Sequence, residues 1–158
     1  MTEIILETRI RAPIERVFDL SCSIDAHIDA ASSTGEQAIA GTTSGLIGMG
    51  ETVTWSAVHF GIRQHLTVEI IEFDRPHAFA DRMTSGAFKS MHHRHEFEAT
   101  GDETVMRDQF TFEAPLGILG VIAERLVLES YMRRFLEERN ARLKALAEGD
   151  GWKAFIQS

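Results

Sequence analysis

The sequence predicts an α+β fold in which one curved antiparallel β-sheet carries a single long helix, at the C-terminal end, across its concave face. Three observations point there. From Pro115 to Glu148, Val121, Leu128, Tyr131, Met132, Phe135 and Leu146 recur at helical spacing, with Ile118, Ile122 and Leu143 beside them. Glu129, Arg133, Arg134, Glu137 and Arg142 fall mostly between, so the run reads as one amphipathic helix. Almost everything before it alternates as strands do, and two short helices follow the first strand, which is not a βαβ pattern. The helix needs a broad apolar surface, and a sheet is the one this chain offers. Its apolar positions do not keep a strict seven-residue repeat, which argues against a coiled coil.

Taken in order, Glu3 to Arg11 sets Ile4, Leu6, Thr8 and Ile10 against Glu7, Arg9 and Arg11, a half-buried strand. Ala12-Pro13 breaks it and Pro13 opens a short helix containing Val17 and Phe18. Ser23 is placed to cap a second helix through about Ala31. Gly35 to Ala40 is a weak strand. Gly41 to Gly50 is glycine-rich but holds Leu46, Ile47 and Met49, either a set of turns or a gate over an opening. Glu51 to Phe60 alternates, Phe60-Gly61 turns the chain, and the count across that turn sets Trp55 opposite Leu66 and Val53 opposite Val68. Asp74-Arg75-Pro76 is the next turn. Pairing Ile70 with Phe79 there puts Phe79, Asp81 and Met83 on the inner face. Phe88 to Thr100 and Glu103 to Ala114 form a hairpin at Gly101-Asp102, with Phe97 opposite Met106, His95 opposite Asp108 and His93 opposite Phe110. Pro115 opens the long helix and Gly149, a residue suited to a left-handed cap, stops it.

The 158 residues suit one domain, residues 1–148, followed by a tail, 149–158, whose Trp152, Phe155 and Ile156 leave docking, disorder or a homodimer open. With 44% hydrophobic and 25% charged residues the composition is that of a soluble globular protein. A net charge of −8 disfavours nucleic acid and anionic membrane as partners. The lone Cys22 allows neither an intrachain disulfide nor a thiolate zinc cluster. There is no signal-peptide pattern and no apolar run of membrane-spanning length, so a cytoplasmic protein is the expectation. No phosphate loop or nucleophile elbow is present, and no cofactor or metal is expected.

The order of strand, two short helices, antiparallel strands and long C-terminal helix resembles the START-like (SRPBCC) superfamily, which includes lipid-transfer domains and polyketide cyclases. The strongest local likeness is Ile10-Arg11-Ala12-Pro13-Ile14-Glu15-Arg16-Val17-Phe18, similar to that superfamily's strand-to-helix junction. Gly50-Glu51-Thr52-Val53-Thr54-Trp55 with His59-Phe60-Gly61, and Pro115-Leu116-Gly117-Ile118-Leu119-Gly120, resemble an uncharacterised bacterial ligand-binding branch. The resemblance implies a helix-grip fold with an apolar cavity between sheet and helix. It brings no common catalytic set.

Alternation places His93 and His95 on one face, the hairpin count adds Asp108, and Asp81 joins from the neighbouring strand. Three readings fit. The group is a buried polar network, or a polar anchor for a ligand in a greasy cavity, or a catalytic site with His95 as base and Asp108 orienting it. Two histidines with two carboxylates also match a metal site in residue type. Trp55, Leu66, Val68, Phe79, Phe110, Leu128, Tyr131, Met132 and Phe135 are core residues that would double as cavity wall. The leading expectation is therefore a binder of a small hydrophobic or amphipathic molecule. The alternatives are a cyclase, dehydratase or isomerase, and an accessory protein whose cavity is filled by its own side chains.

Overall fold

Alternation along β1 (Thr2–Ile10) buries Ile4 and Ile10. In the computed structural model, which describes residues 1–115, 122 and 124–157, this strand pairs not with the next one but with the last. Two helices make the crossing. Pro13 precedes α1 (Ile14–Cys22), and the Ser23 hydroxyl accepts from the Ala26 amide to cap α2 (Ile24–Ala30), as its position requires. The chain then reaches the far edge and returns strand by strand through β2 (Gln37–Gly41), β3 (Thr52–His59), β4 (Ile62–Asp74), β5 (Ala78–Ser85), β6 (Ser90–Thr100) and β7 (Glu103–Glu113). The result is one antiparallel seven-stranded sheet, ordered β1-β7-β6-β5-β4-β3-β2.

Of the three hairpins with an expected register, two keep it. Phe60 and Gly61 both have positive φ, 54° and 72°, the two-residue turn that matches strand twist, and Trp55 faces Leu66 and Val53 faces Val68. Across β6 and β7, Phe97 faces Met106, His95 faces Asp108 and His93 faces Phe110. The β4–β5 hairpin differs. Phe79 pairs with Phe73, and Ile70 pairs with Asp81 instead of Phe79. The turn centres on Pro76, later than the expected pairing requires, because Asp74 still pairs with Ala78. Further along, Ile71 bulges out of the ladder. Were Ile71 to take a place in it, Ile70 would pair with Arg82; as it is, Ile70 and Asp81 both stay on the inner face.

The long helix also needs correcting at both ends. Pro115 lies in a bend, and the expected stretch 116–121 and residue 123 lie outside the described residues. The helix continues from a π-helical turn, Glu124–Leu128, into α3 (Glu129–Glu148). The wider turn shifts the stripe, leaving Leu126 and Val127 exposed while Leu128 packs toward the core. Gly149 does end the helix, but with φ −97° it is not a left-handed cap.

Most of the close packing lies under the C-terminal half of α3. Leu136, Leu143, Leu146 and Ala147 are buried there with Phe18, whose ring meets Phe73, Phe79 and Phe97 edge-on. The tail docks on the same domain: Trp152 and Ile156 are buried, and the Arg16 guanidinium lies 4.1 Å over the Trp152 ring. No described helix is long and apolar enough to cross a membrane.

Candidate functional site

Under the N-terminal half of α3 the sheet and helix stand apart except where the end of β3 and the β3–β4 turn reach Tyr131 and Phe135. They enclose a cavity of about 310 Å³. Trp55, Leu66 and Val68 from β3 and β4, Phe79 from β5 and Phe110 from β7 form its sheet side. Leu128, Tyr131, Met132 and Phe135 form its helix side. All nine were expected as wall. Of the three residues considered for a gate, only Ile47 lines the cavity; Leu46 and Met49 are exposed. That loop is pinned to the α1–α2 junction, with the Ile47 amide donating to the Cys22 carbonyl and the Ile24 amide to that of Gly45. Its apolar residues thus have different surroundings, one inside and two out.

One end of the cavity is polar. Asp108 sits behind it, fully buried, and does not line it. The Arg139 guanidinium donates to Asp108 Oδ1 at 2.8 Å, the Asn140 amide to Oδ2 at 2.6 Å, and His93 Nε2 to Oδ1 at 2.8 Å. Burial alone would raise this carboxyl's pKa, but the Arg139 charge and the imidazole hydrogen bonding outweigh it and hold the pKa well below the usual range. Asp108 is therefore an anion that accepts, so His93 carries its proton on Nε2. Burial, reinforced by the charge of neighbouring His95, pushes His93 down to about 4.

His95 is held differently. Its Nδ1 lies 3.0 Å from Asp108 Oδ1, close enough for an ion pair, but off the direction a hydrogen bond requires; the atom is buried without a hydrogen-bond partner among the described residues. The expected His95–Asp108 hydrogen bond is thus replaced by one from His93. The other nitrogen, Nε2, lies 3.7 Å from Asp81 Oδ2, beyond hydrogen-bond range. Burial disfavours a charged His95, yet the two carboxylates outweigh it and raise the pKa above the ordinary value. For Asp81, burial acts upward, and the His95 contact with the charges of His93 and Arg139 brings the net pKa down. Asp81 and His95 both line the cavity, and Asp81 Oδ2 and His95 Nε2 make no hydrogen bond among the described residues.

A metal fits this group poorly. Asp81, His93 and His95 offer ligand atoms within 4.8 Å of one another. However, His93 Nε2 is already committed to Asp108, and the two imidazole rings are packed on each other, centroids 3.9 Å apart and tilted 34°. Arg139 adds a positive charge to the same cluster. Cys22 also lines the cavity, and burial raises its thiol pKa, which leaves no thiolate for chemistry.

Several residues escaped the sequence reading. Arg139 and Asn140 are buried on α3, and their signal was present: they stand where the stripe from Leu136 to Leu143 calls for apolar residues. His27, Glu36, His59 and His65 also line the cavity. His59 Nδ1 is 2.6 Å from the Tyr131 hydroxyl, and Phe60 packs on the same ring at 4.4 Å, joining the β3–β4 turn to α3. These contacts depend on the curvature of the sheet, which strand alternation does not encode.

Comparison with known proteins agrees on this architecture. A protein from Thermus thermophilus superposes with a TM-score of 0.72 at 20% identity, over 92% of this chain and 99% of its own. Major latex-like protein 151 of Panax ginseng gives 0.70 at 15% identity, over 94% and 98%. A START superfamily protein from Mycobacterium smegmatis gives 0.67 at 13%, over 91% and 98%. No curated protein matches the sequence. At these identities the likeness concerns the fold. The sequence itself matches, over residues 1–148, the family model described as polyketide cyclase / dehydrase and lipid transport, and the chain belongs to that family, within the START-like superfamily.

Proposed function

We propose that this protein binds a small hydrophobic or amphipathic molecule in the cavity between sheet and helix, with the molecule's polar group seated against Asp81 and His95. The observation that carries this reading is the unfilled pair itself. Asp81 Oδ2 and His95 Nε2, 3.7 Å apart without a hydrogen bond between them, border an apolar space of about 310 Å³, where a ligand's hydroxyl would donate to the carboxylate and accept from the imidazole. The open volume argues against a cavity filled by its own side chains. Native mass spectrometry after gentle purification should find a retained small molecule, or added amphiphile should bind in its place. Val68→Trp, which fills the cavity, should abolish that binding while the fold survives by circular dichroism. Failure of the wild-type protein to hold any amphiphile would sink the reading.

A second reading, an enzyme of the cyclase, dehydratase or isomerase type, is favoured by one observation. Burial opposes charge on His95, but its two carboxylate neighbours raise its pKa, which suits a general acid more than a base. Turnover that disappears in His95→Ala while ligand binding persists would establish it.

A further inference from the structure

The polar end at Asp81 has a counterpart across the cavity. Glu36, just before β2, is 7% exposed and lines the same space. Its Oε1 is 2.9 Å from His27 Nε2; its other oxygen makes no hydrogen bond among the described residues. The His27 ring is fixed by stacking on Trp55, centroids 4.3 Å apart and 27° between planes. Between the two carboxylates lie Leu66 and Val68 of β4, both apolar and both on the cavity wall.

Resting on the reading of this space as a ligand cavity, we propose that Glu36 is a second polar subsite and that the ligand is an elongated molecule bearing a hydroxyl at each end. Asp81 and the second oxygen of Glu36 have no donor among the described residues, and a hydroxyl supplies one without bringing another charge into a poorly solvated space. The spacing fits a chain between them. Gln37 faces Ser56, so Glu36 stands beside Ala57 at one end, and Asp81 marks the other. Ala57 faces Gln64 and Asp81 faces Ile70, so the two backbones lie three strands apart and six residues along. With ordinary strand spacing and rise that is on the order of 25 Å, of which the two side chains and a hydrogen bond at each end take up roughly half, leaving a span for an extended chain of about ten carbons. A carboxylate at either end would meet Asp81 or Glu36 with like charge.

Calorimetric titration with 1-decanol and 1,10-decanediol tests this directly. A buried hydroxyl without a partner weakens binding, so the diol should bind at least as tightly as the alcohol only if the second subsite exists. Glu36→Leu, its fold checked by thermal melting, should weaken the diol about tenfold and the alcohol less than about twofold. If Glu36→Leu does not fold, Glu36→Gln gives the same diol-selective loss, smaller because its amide oxygen still accepts. A wild-type protein that binds decanol but binds the diol more weakly overturns the second subsite and leaves the cavity reading standing. Equal losses of both probes in the variants also overturn it. Binding of neither probe overturns both.

Discussion

Asp108 and Asp81 are the same residue type, lie on the same face of one sheet and touch the same histidine, yet their situations are opposite. Asp108 accepts from Arg139, Asn140 and His93 under the packed half of α3. Asp81 has no donor within hydrogen-bond range among the described residues and borders the hollow half. A saturated buried carboxylate stabilises a fold; an unfilled one is poised to meet something that arrives later. Pairing in the sheet does not distinguish them. What separates them is which part of the helix lies above.

The comparison breaks most sharply under mutation. Asp108→Ala leaves the Arg139 guanidinium buried without its anion and should cost about 3–5 kcal/mol in urea unfolding. A loss below about 1 kcal/mol would mean the packed half does not depend on this anion. The helix tests the same division. Leu146→Ala, in the packed half, should cost about 2–5 kcal/mol, whereas Phe135→Ala, on the cavity wall, should cost only about 1–2 kcal/mol because one side already faces open space. Equal costs would erase the distinction between the halves.

The histidines sharpen it through pH. His93 stays neutral in the fold down to about 4, while the unfolded chain takes up its proton near 6.5. Between those values the unfolded state binds more protons, so stability should fall on acidification, by up to about 3 kcal/mol at the lower limit. His95 has the opposite sign. Its raised pKa contributes stability that is fully present below 6.5 and is lost as pH rises through its folded value. Unfolding midpoints followed from pH 4 to 9 should therefore rise and then decline, with His93→Gln flattening the acid limb and His95→Gln the alkaline one. The smallest stability change belongs to Asp81→Asn, on the order of 1 kcal/mol: no hydrogen bond is removed, but His95 loses one of the two carboxylates that raise its pKa. Its effect should appear in binding instead, where a hydroxyl-bearing ligand loses about tenfold and a plain hydrocarbon of equal length does not.

Much of this division could be read before any coordinates. Alternation located the walls because strand period and hairpin counts are local, and the His95 opposite Asp108 register followed from a single turn. The partners of that aspartate did not follow, because Arg139 and Asn140 reach it from a helix 31 and 32 residues away in sequence. Nor did the β4–β5 register, where the bulge falls on Ile71, an ordinary strand former without a turn signature. The π turn was equally silent: Glu124 to Leu128 continues a helical composition, and no residue type marks a wider turn.

That inconspicuous bulge makes β4 tolerant of a lost codon. Ile70 and Ile71 are identical neighbours, so deleting either one yields the same chain. In that shortened chain Glu72 can still face Ala80, and the isoleucine before it can still face Asp81, so the ladder closes with no side chain changing sides. The regular ladder between β6 and β7 has no such slack. A residue lost from the middle of β7 would turn over every side chain beyond the gap, carrying Asp108 or its neighbours out of the core. Gaps in the descendants of this scaffold should therefore collect at Ile70 and Ile71, where the protein can shorten without its chamber noticing.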